Sequence, residues 1–282
     1  MSKWNLIFDV DLCTGCQNCV LAVKDEYQGN SFAGYAAEMP RHGPNWFAIE
    51  RRERGEFPVL DVVHRARCCQ HCDNPPCGAA APDGAVKKRD DGIVIIDPQL
   101  ARGHKQIADA CPFGAAHWNE AVALAQHWNF DAHLIDAGWP APRPVQACPT
   151  GALRVVKLED DEMQRLAAAQ GLARTAGGES RGTRVYYRNL ARFNRVFVAG
   201  TVVGQEGGLE ACVANAEVRL IRESETIGTT TSDAFGDFRF DYLQPGNATW
   251  RIAVQARGYQ IREVEFNREP SCWLGEIRLD PA

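Results

Sequence analysis

The chain has 282 residues, a formal net charge of −5, 45% hydrophobic residues and 24% charged ones. That length supports two domains with separate cores, and an acidic balance without a basic face excludes a nucleic-acid-binding role. No apolar run reaches membrane-spanning length, and the first ten residues carry neither an apolar leader core nor twin arginine, so a cytoplasmic protein with no membrane span is expected.

Residues 4–10 alternate and are rich in branched and aromatic side chains, which predicts a short strand. It runs into Cys13-Thr-Gly-Cys16-Gln-Asn-Cys19, where Gly15 leaves room for backbone N–H groups to approach whatever the thiols hold. Residues 20–27 then read as a short helix. From Gly29 to Gly55 the chain is aromatic and loop-rich. The charged run Glu50–Gly55 that closes this stretch reads as a solvated turn, with a docking edge for a partner as the alternative.

The second cysteine stretch is Cys68-Cys69-Gln-His-Cys72-Asp-Asn-Pro-Pro-Cys77. Spacing assigns Cys69 and leaves Cys68 spare, and His71 is expected beside the site or facing solvent rather than in it. Asn74-Pro-Pro is turn chemistry that sets the wider gap before Cys77. Residues 84–97 predict a hairpin about Asp90-Asp-Gly. A helical segment after Pro98 leads to Ala110-Cys111-Pro-Phe-Gly-Ala, and the same turn recurs as Ala147-Cys148-Pro-Thr-Gly-Ala. That repeat predicts two ferredoxin-like halves.

Eleven cysteines without a secretion signal favour metal ligation over disulfides. Eight of them form two tetrads. Cys13, Cys16 and Cys19 with Cys148-Pro, and Cys69, Cys72 and Cys77 with Cys111-Pro, have the spacing of two [4Fe–4S] ligand sets. Zinc is the competing occupant, but it favours paired C-x2-C knuckles. Cys68, Cys212 and Cys272 remain, the last two expected as buried thiols.

Residues 157–194 read as a helical connector: a helix from Leu158 with acidic residues in its first turn and glycine at its end, then a flexible Gly177–Gly182, then a segment ordered against the cluster domain. From 195 to 282 short alternating strands at sandwich spacing follow, with no convergent acids, bases or nucleophiles.

Two resemblances give these patterns a family. Cys69-Gln-His-Cys72-Asp-Asn-Pro-Pro-Cys77, the run from Asp90 to Pro98 and the two Cys-Pro-x-Gly-Ala turns resemble the electron-transfer subunits of the molybdopterin oxidoreductase (dimethyl sulfoxide reductase) family. Within it, Ile49-Glu-Arg-Arg-Glu-Arg-Gly, Phe113-Gly-Ala-Ala-His-Trp-Asn-Glu and Arg184-Val-Tyr-Tyr-Arg-Asn-Leu are similar to small subunits of enzymes that hydroxylate or transhydroxylate polyhydroxybenzenes. The series Gly200, Ala216, Thr231, Asp233, Gly236, Phe238, Phe240, Leu243, Gly246 and Gly258-Tyr259 resembles the transthyretin-like, or carboxypeptidase-regulatory-like, sandwich.

The resemblance implies an α+β chain: a tandem bacterial-ferredoxin-like cluster domain (1–156), the connector (157–194) and an all-β sandwich (195–282). It implies a non-catalytic partner to a large catalytic subunit, which alone carries the molybdopterin guanine dinucleotide. Where the family has two further cysteine runs, this chain has Ala101, His104 and Ile107 with Ala81, and Trp128, Asp131 and Pro144 with Val23, which implies two empty sites filled by apolar side chains. Three functional readings stand at this point: an electron-transfer subunit of this or another molybdopterin oxidoreductase, a structural partner braced by its clusters, and a free-standing ferredoxin.

Overall fold

The computed structural model describes residues 1–246, 249–266 and 271–282. It divides into two compact units, Met1–Arg51 with His64–Phe193, and Arg52–Val63 with Asn194–Ala282.

In the first unit, β1 (Lys3–Asp9) buries Leu6, Ile7 and Phe8. One cysteine loop later, α1 (Asn18–Tyr27) turns Val20, Val23 and Tyr27 inward, the i, i+3, i+7 face of a helix. Strands β2 (Ala48–Glu56) and β3 (Val59–Arg67) form a two-stranded sheet whose tip groups with the second unit. The charged run Glu50–Gly55 is therefore strand, not the solvated turn expected from its composition. Arg54 is only 2% exposed, paired to Asp61 at 3.2 Å and Asp241 at 2.9 Å. A buried guanidinium is tolerated because carboxylates meet it from two sides.

The stretch from 76 to 146 alternates single helical turns with two-stranded hairpins. These are α2 (Pro76–Ala79), the hairpin β4 (Val86–Lys88) and β5 (Val94–Ile96), α3 (Gln106–Asp109), the hairpin β6 (His117–Asn119) and β7 (Leu124–Gln126), then α4 (Ala132–Asp136) and α5 (Arg143–Gln146). Next come β8 (Leu153–Leu158), α6 (Asp160–Gln170), α7 (Gly178–Arg181), β9 (Val185–Arg188) and α8 (Leu190–Asn194). Strand β1 lies between β8, antiparallel, and β9, parallel. Residues 157–193 thus belong to the first unit, with Val185–Arg188 in its sheet, and Met163 of α6 packs with Ile7 and Tyr186. Helix α6 starts on a reciprocal capping box between Glu159 and Glu162 and stops at Gly171 in the left-handed region, φ 60°. The Gly177–Gly182 stretch forms a helical turn. A Cβ on Gly182 would sit 2.8 Å from Asp73 Oδ2, so glycine there permits a close approach to the second cysteine loop.

The second unit holds two four-stranded sheets. In one, β10 (Val196–Glu206) pairs with β11 (Leu209–Cys212), β14 (Asp237–Leu243) and β17 (Cys272–Arg278). In the other the order is β13 (Glu225–Thr231), β12 (Glu217–Arg222), β15 (Trp250–Gln255) and β16 (Arg262–Phe266). Val202, Phe238, Phe240 and Ile277 of the first sheet share one core with Val218, Leu220, Trp250 and Ile252 of the second, as alternation of inward residues on two facing sheets requires. Cys272 is buried there, but Cys212 is exposed and corrects the expectation of a buried thiol. It ends the short strand β11, where a side chain has little to cover it.

Candidate cluster-binding site

The first tetrad converges. Cys13 and Cys16 sit on the loop after β1, Cys19 is in the first turn of α1, and α5 delivers Cys148, whose N–H donates to Val145 O at 3.2 Å. Gly15 and Gln17 both take left-handed φ, 71° and 66°, which wraps the loop around its own sulfurs. The four cysteines line one cavity with Phe8, Ile49, Ala152 and Leu153. Burial pushes the Cys19 thiol up to about 12, with the charge of Cys13 next in effect, while the Val20 N–H works the other way. Burial likewise raises Cys13, against a hydrogen bond from the Gly15 N–H.

The second tetrad converges in the same manner. Cys69 and Cys72 flank Gln70-His71, Cys77 lies in α2, and Cys111 follows α3. Burial pushes Cys69 well up, and the charges of Cys77, Cys111 and Cys72 add to it. Burial also leads the rise of Cys72 and Cys77, each to about 11, followed by Cys111. Backbone N–H groups point at the sulfurs: His71 N to Cys69 Sγ at 3.5 Å and Ala115 N to Cys111 Sγ at 3.4 Å. The His71 ring is fully enclosed, packed against His127, Trp128 and Phe130. Its Nδ1 accepts from Val94 N at 3.1 Å, which assigns the ring proton to Nε2, and burial holds its pKa well below the usual imidazole value.

Both donor sets fit a cluster. All eight are thiols, several receive N–H donors, and burial favours the protonated form of Cys13, Cys19, Cys69, Cys72 and Cys77 until a metal displaces the proton. At the first site four thiols line one cavity, which matches the donor count of a cubane with one iron per thiolate.

Two cations at the second tetrad were not legible in the sequence. Lys88 Nζ donates to the carbonyls of His71 and Gly92, both at 2.7 Å, and pairs with Asp73 at 3.1 Å. Arg184, almost fully buried, grips Asp73 and reaches Asp160 at 2.5 Å. They place positive charge at the second cysteine loop and tie it to Asp160 and Gly92. A lysine in a hairpin and an arginine before a strand carry no pattern that announces this.

The sites where cysteines are missing are packed. Ala101 and Ile107 join Ala85, Ile96 and Leu124 in one buried apolar group, with Ala81 against it, while His104 stays half-buried and bonds Gln106. Val23, Trp128, Asp131 and Pro144 are all buried. This second place is not simply apolar. Asp131 is fully enclosed and accepts from Trp128 Nε1 at 2.9 Å, Arg143 N at 2.8 Å and Tyr27 Oη at 3.0 Å. Burial raises its carboxyl pKa, against these donors.

Comparison with known proteins agrees with this geometry. Residues 60–158 match the 4Fe-4S dicluster domain, and residues 198–270 match the carboxypeptidase regulatory-like domain. The chain is 36% identical over 282 residues to the pyrogallol hydroxytransferase small subunit of Pelobacter acidigallici, covering 99% of this chain and 100% of that protein. It is 29% identical to the thiosulfate reductase electron transfer subunit of Salmonella typhi, over 66% of this chain and 93% of that one. Among the described residues no helix is long and apolar enough to cross a membrane. Two convergent thiol tetrads, a dicluster domain and a match along nearly the whole length lead to one conclusion: the chain belongs to the iron–sulfur electron-transfer subunits of the dimethyl sulfoxide reductase family of molybdopterin oxidoreductases.

Proposed function

We propose that this subunit holds two [4Fe–4S] clusters, one on Cys13, Cys16, Cys19 and Cys148 and one on Cys69, Cys72, Cys77 and Cys111. It serves a large subunit that carries the molybdopterin guanine dinucleotide and hydroxylates or transhydroxylates polyhydroxybenzenes in the cytoplasm. The observation that carries this reading is the pair of separate thiol tetrads in a chain alike from end to end to a pyrogallol hydroxytransferase small subunit. The packing of the other two places, by the apolar group around Ile107 and by the Asp131 network, supports a count of two.

When bound, each cluster supplies a one-electron reservoir. The protein's own work is to hold it. Four thiolates fix each cluster, N–H groups of Gly15, His71 and Ala115 stabilise charge on sulfur, and the walls formed by Phe8, Ile49 and Leu153 limit water at the first site. Lys88 and Arg184 offset negative charge at the second.

Iron and acid-labile sulfide analysis of the purified two-subunit complex tests the count, with about eight irons per small subunit expected from two cubanes. About four, or about twelve, would sink it. Turnover of polyhydroxybenzenes by the same complex tests the substrate class, and a complex that oxidises or reduces only sulfur compounds would contradict it.

A further inference from the structure

A cleft of about 240 Å³ opens within the first unit, between β2, β3, β9 and the turn that follows Cys111. No cysteine lines it. Its charged residues are Glu50, Arg65 and Arg67, all partly exposed. Arg65 donates to Glu50 Oε2 from Nε at 2.9 Å and from Nη2 at 2.6 Å, and Arg67 Nε stands 3.4 Å from Glu50 Oε1. One carboxylate thus serves two guanidinium groups, which leaves the cleft positive in a chain that is acidic as a whole. Arg65 is held over the Phe193 ring at 4.5 Å, and Arg67 Nη1 donates to Gly114 O at 2.6 Å. Among the described residues, Arg65 Nη1 and Arg67 Nη2 make no hydrogen bond. A guanidinium fixed in this way offers its remaining N–H groups to a planar anion.

The same cleft is lined by two polar side chains that the fold leaves unsatisfied. Gln70 is only 4% exposed. Its Nε2 donates to Cys68 O at 3.0 Å and to Tyr187 Oη at 3.3 Å, while Tyr187 Oη donates to Ala66 O at 2.9 Å. A backbone carbonyl only accepts, so the amide orientation is fixed and Oε1 is the atom left over. Both Gln70 Oε1 and Thr175 Oγ1 are buried and have no hydrogen-bond partner among the described residues. Two such atoms at one cleft are unfavourable in the chain alone. The exposed Pro112 and the half-buried Phe113 give the cleft an apolar side.

The ligand that completes this cleft must bring an anion and a hydrogen-bond donor together. A simple inorganic anion answers the arginines but gives nothing to Gln70 Oε1. A peptide with an acidic side chain supplies both, a carboxylate and a backbone N–H. We propose that the cleft is a docking socket for an acidic segment of the large catalytic subunit, whose carboxylate meets Arg65 and Arg67 and whose backbone N–H meets Gln70 Oε1. Thr175 Oγ1 then donates to a carbonyl of the same segment, and Pro112 and Phe113 cover its apolar part. This rests on the reading of the chain as the small subunit of a two-subunit enzyme, and not on the substrate class.

The experiment measures dissociation of the purified two-subunit complex on dilution, by analytical ultracentrifugation, with iron analysis of every variant. Arg65→Glu is expected to weaken association at least about tenfold. Thr175→Val tests the unpaired hydroxyl without changing charge. It is expected to weaken association by a smaller factor while the urea midpoint of the full small subunit alone stays the same or rises, because the hydroxyl has no partner there to lose. Amide hydrogen exchange at residues 175 and 176 is expected to slow when the large subunit binds. Unchanged association in both variants overturns the proposal. In that case slowing by added acetate alone would identify a free small acid as the ligand, and no slowing at all would mean that the cleft holds ordered water only. If Arg65→Glu loses iron, its fold is damaged and Thr175→Val decides: association as tight as in the unaltered complex overturns the proposal. An unaltered chain that pairs with no large subunit would instead overturn its reading as a small subunit.

Discussion

The first cysteine tetrad and the buried site around Asp131 lie at opposite ends of α1 and solve opposite problems. At one end Cys19 is enclosed with three other thiols, and burial and the neighbouring sulfurs raise its pKa to about 12. Backbone donors offset only part of this. At the other end Tyr27 reaches a single carboxylate that the protein supplies with three donors of its own. A site that leaves its charges for a metal to neutralise is incomplete without it. A site that satisfies its one acid internally is finished.

That contrast can be broken most severely at the thiols. Replacing Cys19 or Cys72 by Ala is expected to remove about four irons per chain, read by iron analysis, and to weaken the first unit because cluster binding contributes folding free energy. Retention of the full iron count in either variant would exclude that cysteine as a ligand. Next in size is Asp131→Ala, which strands three buried donors. The expected loss is about 3 kcal/mol in urea unfolding, with Asp131→Asn losing less because it keeps one acceptor. A loss below about 1 kcal/mol would mean that the Asp131 site relaxes freely.

Arg184→Leu should cost about 2 kcal/mol, less than a fully buried pair, because both partner carboxylates are partly exposed. The matching readout is faster loss of the second cluster's absorbance under a chelator, and equal rates would detach Arg184 from that loop. The smallest effect is on pH dependence. Burial alone would raise Asp160, but bonds from Arg184 and Lys3 outweigh it and lower the carboxyl to about 2. Its contribution is therefore present above the unfolded value of about 3.9 and is lost as pH falls through about 2. Asp131 has the opposite sign: its folded value is raised, so its contribution is full below about 3.9 and is lost as pH rises through the folded value. Acid unfolding of Asp160→Asn should thus show a flatter slope below about pH 4 than the unaltered chain, and an identical slope would remove Asp160 from the acid response.

Much of this was legible in the chain. Both tetrads, the α1 and α6 helices, the hairpin about Asp90-Asp-Gly and six of the eight strands of the second unit follow from spacing, capping and alternation. The misses share a cause. Strand β16, Arg-Glu-Val-Glu-Phe, and strand β11, Leu-Glu-Ala-Cys, carry too few inward apolar residues to stand out, and they exist because β15 and β10 offer them an edge. The run Glu50–Gly55 reads as solvent-facing because no local pattern marks Arg54 as buried: one partner, Asp61, lies beyond the run, and the other, Asp241, is 187 residues away.

The sequence by itself determined the chemistry: eight cysteines at cluster spacing, two Cys-Pro turns, and residues other than cysteine where further ligands would stand. These are signals of a few residues, set by backbone reach and by what a thiolate will bind. Only the tertiary structure decided which way each thiol faces. Adjacent in sequence, Cys68 is fully buried just past β3 while Cys69 opens the second cysteine loop. The same holds for Lys88, Arg184 and Asp131, whose roles depend on partners brought together by packing and not on their own neighbours.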